Sequence, residues 1–444
     1  MMSGRNQTVH VFSLVLPAAD CPKDRRRYKV KWRVDGRDRT RSFKTRALAD
    51  RFRADLLVAV SNGHRFEPAI GLPVLWQRSG ETWFTWSQQW LELKWPQWAG
   101  HSRRSAVETL VSFTPWLVAA GASSPPAQLT DWLREEGYRV GSAEWSKPLP
   151  WLARWSVLLD DLTPELLERA LRQASTKRDG TAVAATVARR RKNLLGSVLA
   201  AAVRRGMAQD NPMHRIEWRN PSTDLTVDIS TVPTAAEVFA IADNVAALPT
   251  GGARYGALLA LVGIAGTRPS EALGLAPNDL HLPTSGWGLA RLSGASPAPG
   301  ARYTNNGQRV ERKALKQRAA NTVREVPLAP ELVSRLRAHM DRFASPTLVI
   351  PSAGGTPATS FNYTPVWLRA RVKLWPPGHP LAAITVYDLR HSAATTMLRA
   401  GVSPAETARR LGHSVDVLLR IYAGVATDER AEANLLLDRA FAAS

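Results

Sequence analysis

Leu411-Gly412-His413-Ser414-Val415-Asp416-Val417-Leu418-Leu419-Arg420-Ile421-Tyr422 places a tyrosine nine residues after a histidine, close to the end of the chain. Two upstream stretches give this spacing its meaning. One is Gly266-Thr267-Arg268-Pro269-Ser270-Glu271-Ala272-Leu273; the other is Tyr387-Asp388-Leu389-Arg390-His391. Arginine makes forked, charge-assisted contacts to phosphate oxygens, which the point charge of lysine does less well. A tyrosine attacks phosphorus effectively only where the phosphate charge is stabilised and the leaving oxygen receives a proton. Alone, Tyr422 reads as a half-buried helix tyrosine and Arg268 as a surface arginine at a helix start. Two arginines, a histidine and a late tyrosine, in that order, point together to phosphodiester chemistry.

The rest of the chain fits a polyanionic partner. It has 444 residues, more than one ordinary core holds, so two or three domains are expected. Its net charge of +21 draws polyanions, either nucleic acid or an anionic membrane surface. No apolar run is long enough to span a membrane, and Met1-Met2-Ser3-Gly4-Arg5 lacks the apolar core of a signal peptide. Nucleic acid therefore leads. Cys21 is the only cysteine, which rules out internal disulfides and thiolate zinc sites and fits a reducing cytoplasm. No phosphate-cradling glycine loop and no His-Glu-x-x-His motif is present, so nothing in the sequence calls for ATP, a metal or another cofactor.

Charge is concentrated near the N-terminus. Lys23 to Arg53 holds 14 Lys/Arg against 4 Asp, a net +10. Tyr28-Lys29-Val30-Lys31-Trp32-Arg33-Val34 alternates bulky apolar and basic residues, the period of a strand with one packed and one basic face. Asp35-Gly36 is a hairpin signal, and Arg39 to Lys44 returns as a second short strand carrying Phe43, with Arg37, Arg39 and Arg41 as further candidates for DNA contact. Thr45 caps a helix from about Arg46 to Val60, closed by Asn62-Gly63. A small basic sheet with one helix can set strands in a DNA groove; the plainer reading is a solvated basic surface.

Pro68 to Gly80 reads as a linker, and residues 81 to about 210 read as helical. Trp83, Trp86 and Trp90 recur at helical spacing, which fits a core stripe better than a base-stacking platform. In Thr181 to Arg205 the apolar Val183, Val187, Leu194, Leu195, Val198 and Leu199 oppose a cluster of Arg189, Arg190, Arg191 and Lys192. Like charges on one helix repel, so this cluster suggests an anionic neighbour, against the alternative of a solvated face. Residues 219–232 form a polar linker. Thr234 and Glu237 make a capping-box signature opening the last domain. Ser293 to Gly307 is a Pro/Gly-rich loop, followed by two short strands, Arg309–Leu315 and Val323–Leu328, with Lys316 on the turn between them. Thr385 to Ala400 reads as a helix closed by Gly401, and Ser403-Pro404 open another that ends near Gly412.

With these motifs quoted, the sequence resembles the tyrosine recombinase (phage integrase) family over about its last 210 residues, and more weakly before them. The resemblance implies a mainly α, multidomain protein. Residues 1–66 would be a small β-plus-helix, arm-type DNA-binding module and 80–218 a helical core-binding domain. Residues 233–444 would be a mostly helical α+β catalytic domain. The implied chemistry cleaves and rejoins DNA through a 3′-phosphotyrosine and needs no cofactor. Arg268 and Arg390 would bind the phosphate and His413 would donate to a non-bridging oxygen. Tyr422 would attack, and Lys316, or Lys313 instead, would protonate the leaving 5′ oxygen. Glu271 and His391 would support these groups from behind, although adjacent residues on a helix lie about 100° apart, so His391 need not face the same pocket. The family motif reads His-x-x-Arg; here Tyr387 stands in the histidine's place. A phenol is a poor proton acceptor at neutral pH, so the proton of Tyr422 would pass to the phosphate, to water or to another group.

The implied partners are double-stranded attachment sites, a tetramer of the chain on DNA, and directionality or DNA-bending proteins, without a membrane. The implied role is to integrate or excise a phage or mobile element. A chromosome-dimer resolvase or a type IB topoisomerase fits the basic N-terminal module less well. From another class, a catalytically decayed, sequence-specific DNA-binding protein of the same fold remains the alternative, and Tyr387 is the feature that favours it.

Overall fold

The computed structural model describes residues 7–18, 22, 26–73, 80–142, 145, 148–177, 179–219, 226–249, 251–315, 322–422, 434, 437–439 and 441–442. The chain divides into two compact units, Met1–Trp98 with Ser105–Ser222, and Ala99–Arg104 with Thr223–Ser444. Among the described residues it is mainly helical with two small sheets. No helix among the described residues is long and apolar enough to cross a membrane.

The first sheet is antiparallel in the order β1 (Val9–Val11), β2 (Tyr28–Val34), β3 (Arg37–Phe43). Its hairpin turns at Asp35 (φ 46°) and Gly36 (φ 81°), both in the left-handed region that a two-residue type I′ turn requires. Helix α1 (Arg46–Ser61) covers one face. The Thr45 side chain accepts from the Leu48 N–H, as the cap signature predicts. Val30, Trp32, Val34, Ala49, Leu56 and Phe66 form the core of this module, and the Trp32 indole donates to the Gly71 carbonyl.

The register corrects one reading of the sequence. Residues opposite each other in an antiparallel pair project to the same face. Lys29, Lys31 and Arg33 lie opposite Ser42, Thr40 and Asp38, on the outer face. Arg41, Arg39 and Arg37 lie opposite Val30, Trp32 and Val34, on the face that α1 covers. Arg41 stacks over Phe43 and Phe52, and Arg39 donates to the Pro68 and Ala69 carbonyls. The six cations do not share one basic face.

Farther along lie α2 (Trp83–Lys94), which carries the tryptophan stripe, α3 (Pro164–Ala174) and α4 (Ala185–Arg204). Trp83, Trp86 and Trp90 are buried, and the Trp86 indole donates to the Val198 carbonyl of α4. They are core. Successive helix residues step by about 100°, and the basic run on α4 divides accordingly. Arg190 is exposed, whereas Arg189, Arg191 and Lys192 are half-buried. Arg191 donates to the Ala174 carbonyl at the C-terminal end of α3, so it acts as a helix-end partner.

In the second unit, α5 (Ala235–Ala246) begins with the Thr234–Glu237 capping box. Helix α6 (Gly256–Gly263) is buried at every residue, as an all-apolar helix must be. A Cβ at Gly263 would meet the Val238 side chain, so glycine there allows α5 and α6 to approach closely. A short helix α7 (Pro269–Ala272) follows. The sheet is antiparallel in the order β4 (Leu280–His281), β5 (Gly288–Leu292), β6 (Arg324–Leu328). The strand expected over Arg309–Leu315 is not formed; β6 pairs with β5, from Gly288↔Leu328 to Leu292↔Arg324. Within 309–315 only an isolated bridge occurs, Ala295↔Lys313. Lys316 lies outside the described residues.

Helices α8 (Pro330–Arg342) and α9 (Ser360–Leu374) pack on α5, α6 and the sheet. Helix α10 (Arg390–Arg399) starts five residues later than predicted. Asp388 instead accepts from the Thr385 N–H and hydroxyl and holds 385–389 as a turn. Helix α11 (Pro404–Leu411) is capped by Ser403 and ends at Gly412, and α12 (Val415–Tyr422) follows. Ala393, Ala394, Ala408, Leu411, Leu418 and Tyr422 form one packed group across α10, α11 and α12.

Candidate active site

The site is built around the C-terminal end of α11. The last carbonyls of a helix lack intrahelical partners and carry its negative pole. Gly412 adopts the left-handed conformation (φ 67°), which turns the chain there and leaves the carbonyls of Leu411 and Gly412 accessible. Three arginines come to them. Arg268 donates to the Gly412 carbonyl (3.0 Å) and Arg324 to the Leu411 carbonyl (3.1 Å). Arg390 also donates to Leu411 and to the carbonyl of Gly266. Gly266 has φ 68°, and a Cβ there would collide with the Leu411 side chain, so this close approach needs glycine.

Glu271 binds two of the arginines. It is buried at the end of α7's single turn, 2.7 Å from Arg268 Nη1 and 2.6 Å from Arg324 Nη2, and it also accepts from the Arg268 backbone N–H (2.8 Å). Burial alone would raise its pKa, but the charges of Arg324 and Arg268 outweigh that and hold the carboxyl below its usual range. One carboxylate faces three guanidiniums, so the cluster keeps an excess of positive charge, as an oxyanion site requires.

His413 follows the turn. Its Nε2 lies 2.9 Å from Arg390 Nη2. Burial, then the charges of Arg390, Arg268 and Arg324, pull it down to about 4, so the ring is neutral and Nε2 accepts from the guanidinium. Its Nδ1 is buried without a hydrogen-bond partner, as a donor awaiting a ligand would be. Arg390 is buried, and burial followed by repulsion from Arg268 lowers its pKa while leaving it charged near neutrality.

Tyr422 is only 3 % exposed. Its hydroxyl lies 2.8 Å from Nδ1 of His391, the rings 5.7 Å apart and tilted by 59°. Burial pushes the Tyr422 phenol above its ordinary range, with Arg390 opposing. Tyr387 is 47 % exposed, on the turn before α10, near enough that its charge would be felt by both Arg390 and Tyr422.

Arg268, Glu271, Arg390 and His413 thus gather at the end of α11, with the His391–Tyr422 pair beside them and Tyr387 at the border. Lys313, the alternative proton donor, pairs with Glu311 at 3.2 Å on the bridged segment. The sequence reading missed Arg324. A signal existed: Arg324, Val326 and Leu328 share the buried face of β6, where an arginine needs a partner. The contact of His391 with the nucleophile candidate was likewise left open. Among the described residues, no three His, Cys, Asp or Glu side chains gather as a metal site would need.

Residues 233–429 match the family model described as the phage integrase family. This part of the chain is a phage integrase family domain. No curated protein matches the chain. Among solved structures, it is similar to the Tn1549 transposon integrase in complex with a circular intermediate DNA. That match has 18 % identity and a TM-score of 0.48, and covers 63 % of this chain and 87 % of the other. A lambda integrase dimer bound to a COC′ core site matches at 14 % identity and TM-score 0.46, over 87 % of this chain and 89 % of the other. The XerH recombinase bound to difH substrate matches at 14 % and 0.46, over 76 % and 90 %. The phage integrase model begins one residue before the capping-box threonine of α5 and runs past Tyr422.

Proposed function

We propose that the chain is a site-specific DNA recombinase that cleaves and rejoins DNA through a 3′-phosphotyrosine on Tyr422, integrating or excising a phage or mobile element in the cytoplasm. The observation that carries this reading is the convergence of Arg268, Arg324, Arg390 and His413 on one helix end, in the same packed group as Tyr422. A phosphate placed there would replace backbone carbonyls as the partner of Arg268 and Arg390. It would also meet the unpartnered Nδ1–H of His413. Such donors stabilise charge as it develops on the pentavalent phosphorus, usually the largest catalytic contribution.

Tyr422 Oη attacks phosphorus, the P–O5′ bond breaks, and Lys316 protonates the leaving oxygen. The phosphotyrosine conserves the bond, so a 5′-hydroxyl from another strand can reverse the step without ATP. Glu271 and Arg324 position the phosphate-binding arginines, and Tyr387 orients the phosphate. Exchange between two duplexes requires a nucleophile for each of four strands, hence four protomers on the attachment sites, with DNA-bending or directionality proteins as further partners. The basic N-terminal module would hold arm-type DNA through Lys29 and Lys31, the helical segment 80–218 the core site, and 233–444 would carry the chemistry.

The test is a nicked suicide duplex, whose cleaved end diffuses away and traps the adduct. Wild type should form a covalent protein–DNA species mapped to Tyr422, and Tyr422→Phe should bind the same duplex without forming it. An adduct persisting in Tyr422→Phe and mapped to Tyr363 overturns the assignment. Binding by wild type without any adduct would favour the decayed DNA-binding protein.

A further inference from the structure

We propose that His391 is the group that takes the proton from the Tyr422 phenol during strand cleavage. The proposal rests on the recombinase reading above and deepens it, because the position that precedes Arg390 by three residues holds a tyrosine, Tyr387, in place of an imidazole.

Geometry selects His391. Its Nδ1 lies 2.8 Å from Tyr422 Oη, inside the range over which a general base can act directly. The phenol comes from the last residue of α12 and the imidazole from the first turn of α10, two helices whose apolar residues pack in one group. Tyr422 is nearly sealed from solvent, so bulk water is a poor acceptor for its proton. Tyr387, by contrast, is half exposed, and its backbone carbonyl accepts from the Arg390 N–H. A Tyr422 hydroxyl that donates to Nδ1 fixes the tautomer of His391, with its proton on Nε2.

The electrostatics tie this base to DNA. The charged and titratable groups that face His391 are Asp388 and Arg390 on its own turn and helix, His413 after α11, and Tyr422 on α12, with Tyr387 bordering Tyr422. Burial, with Arg390 and against Asp388, keeps the imidazole neutral and able to accept. Protonated, it would add charge to a cluster in which Arg268, Arg324 and Arg390 already outnumber Glu271. A phosphodiester in the site supplies the missing negative charge, which grows as phosphorus becomes pentavalent. His391 therefore becomes an effective base only when DNA is seated, and the resting enzyme keeps a protonated, buried tyrosine.

The protons balance. In cleavage the Tyr422 O–H bond breaks, its proton moves to His391 Nδ1, the Oη–P bond forms, and the P–O5′ bond breaks. The 5′ oxygen takes a proton from Lys316, the donor assigned above. In rejoining, the 5′-hydroxyl returns its proton to the lysine, and His391 returns the other to the departing phenolate.

The experiment is single-turnover cleavage of the nicked suicide duplex by the full chain. His391→Asn keeps an acceptor near the Nδ1 position but cannot hold a proton. It should bind the duplex as wild type does and lose about 10²–10⁴-fold in cleavage rate. The acid limb of the wild-type rate profile should vanish in this variant. The loss should persist on a substrate whose 5′ bridging oxygen is sulfur, a leaving group that needs no proton. Added imidazole should restore part of the rate to His391→Ala, which covers the case in which the asparagine distorts the site. Cleavage by His391→Asn at the wild-type rate overturns the proposal, as does full recovery on the sulfur substrate, which would place His391 on the leaving-group side. A larger loss in Tyr387→Phe with the same signature would make Tyr387 the base. Failure of the wild type itself to form an adduct is read separately and refutes the recombinase function with it.

Discussion

Arg324 shows how one residue can support a site without touching the reacting atoms. Its guanidinium joins Glu271 to the Leu411 carbonyl and so ties α7 to the end of α11. Replacing it with methionine keeps the volume and removes the charge. Breaking a buried ion pair from one side costs about 3–5 kcal/mol, and Arg268 still pairs with Glu271, so Arg324→Met should fall toward the lower end. Adding Glu271→Gln should recover part of the loss, because the uncompensated carboxylate is then gone. Urea unfolding of the two single variants and the double variant checks this; strictly additive losses would mean the pair does not act as a unit. Tyr387 should behave differently. It lies half exposed at the margin, so Tyr387→Phe should retain most of the cleavage rate, whereas Arg390→Ala removes a buried charge from the phosphate itself. Equal loss in the two variants, measured in single turnover, would place the Tyr387 hydroxyl in the chemistry.

At the scale of elements, the end of α11 is the feature on which the site depends. Gly412 is left-handed, and a Cβ there would collide with the Arg324 guanidinium. An L-residue in that conformation costs about 1–2 kcal/mol, so Gly412→Ala should lose at least that and should also displace Arg324, lowering cleavage more than DNA binding. Thermal unfolding and adduct yield, measured together, test the coupling; a variant that is destabilised yet cleaves normally would separate them. His413, on the same turn, gives the unit an acid sensitivity. Its folded value of about 4 lies below the unfolded value of about 6.5, so the unfolded chain binds the proton first. The stabilisation is therefore complete above about pH 6.5 and is lost as pH falls toward 4. His339 and His391 shift in the same direction, so His413→Asn should shallow that slope without removing it. Urea midpoints across the interval decide; an unchanged slope would mean His413 is not depressed in the folded state. These elements also show what local sequence encodes. The capping signals at Thr45, Thr234 and Ser403 mark real helix starts, because a cap is settled by residues three positions apart. The strand partner of β6 was not legible, since β5 is separated from it by thirty-one residues and pairing depends on the whole core. The start of α10 was misread because the Asp388 carboxylate competes for the backbone of Thr385. Arg268, Arg390, His413 and Tyr422 were legible from order and spacing; the bond from His391 to Tyr422 depends on how α10 and α12 pack, which no spacing states.

For the molecule as a whole, charge is the property that must be apportioned. The stretch Lys23 to Arg53 carries a net +10 of the chain's +21, which suggests a large phosphate footprint for the N-terminal module. The sheet register reduces that estimate. Arg33 on the outer face is paired with Asp38 at 2.5 Å, while Arg39 and Arg41 are engaged on the helix-covered face. Lys29 and Lys31 are the exposed cations that remain on the outer face of β2. Each phosphate neutralised contributes about −0.9 to the slope of log affinity against log salt. If the outer face lies on DNA, Lys29→Ala with Lys31→Ala should shallow that slope by about 2, and Arg37→Ala with Arg41→Ala should change it little. Truncation after Pro73 removes the module together with Phe66, Leu72 and the rest of its own core, so the remaining domains keep theirs. The truncated chain should still cleave an isolated core site, while recombination that needs arm-type DNA should fall. Titrations of an arm-containing duplex at several salt concentrations, beside core-site cleavage, distinguish the cases. If the arginine pair flattens the slope and the lysine pair does not, DNA lies on the opposite face, and α1 together with Arg41 of β3, stacked on Phe52, becomes the contacting surface.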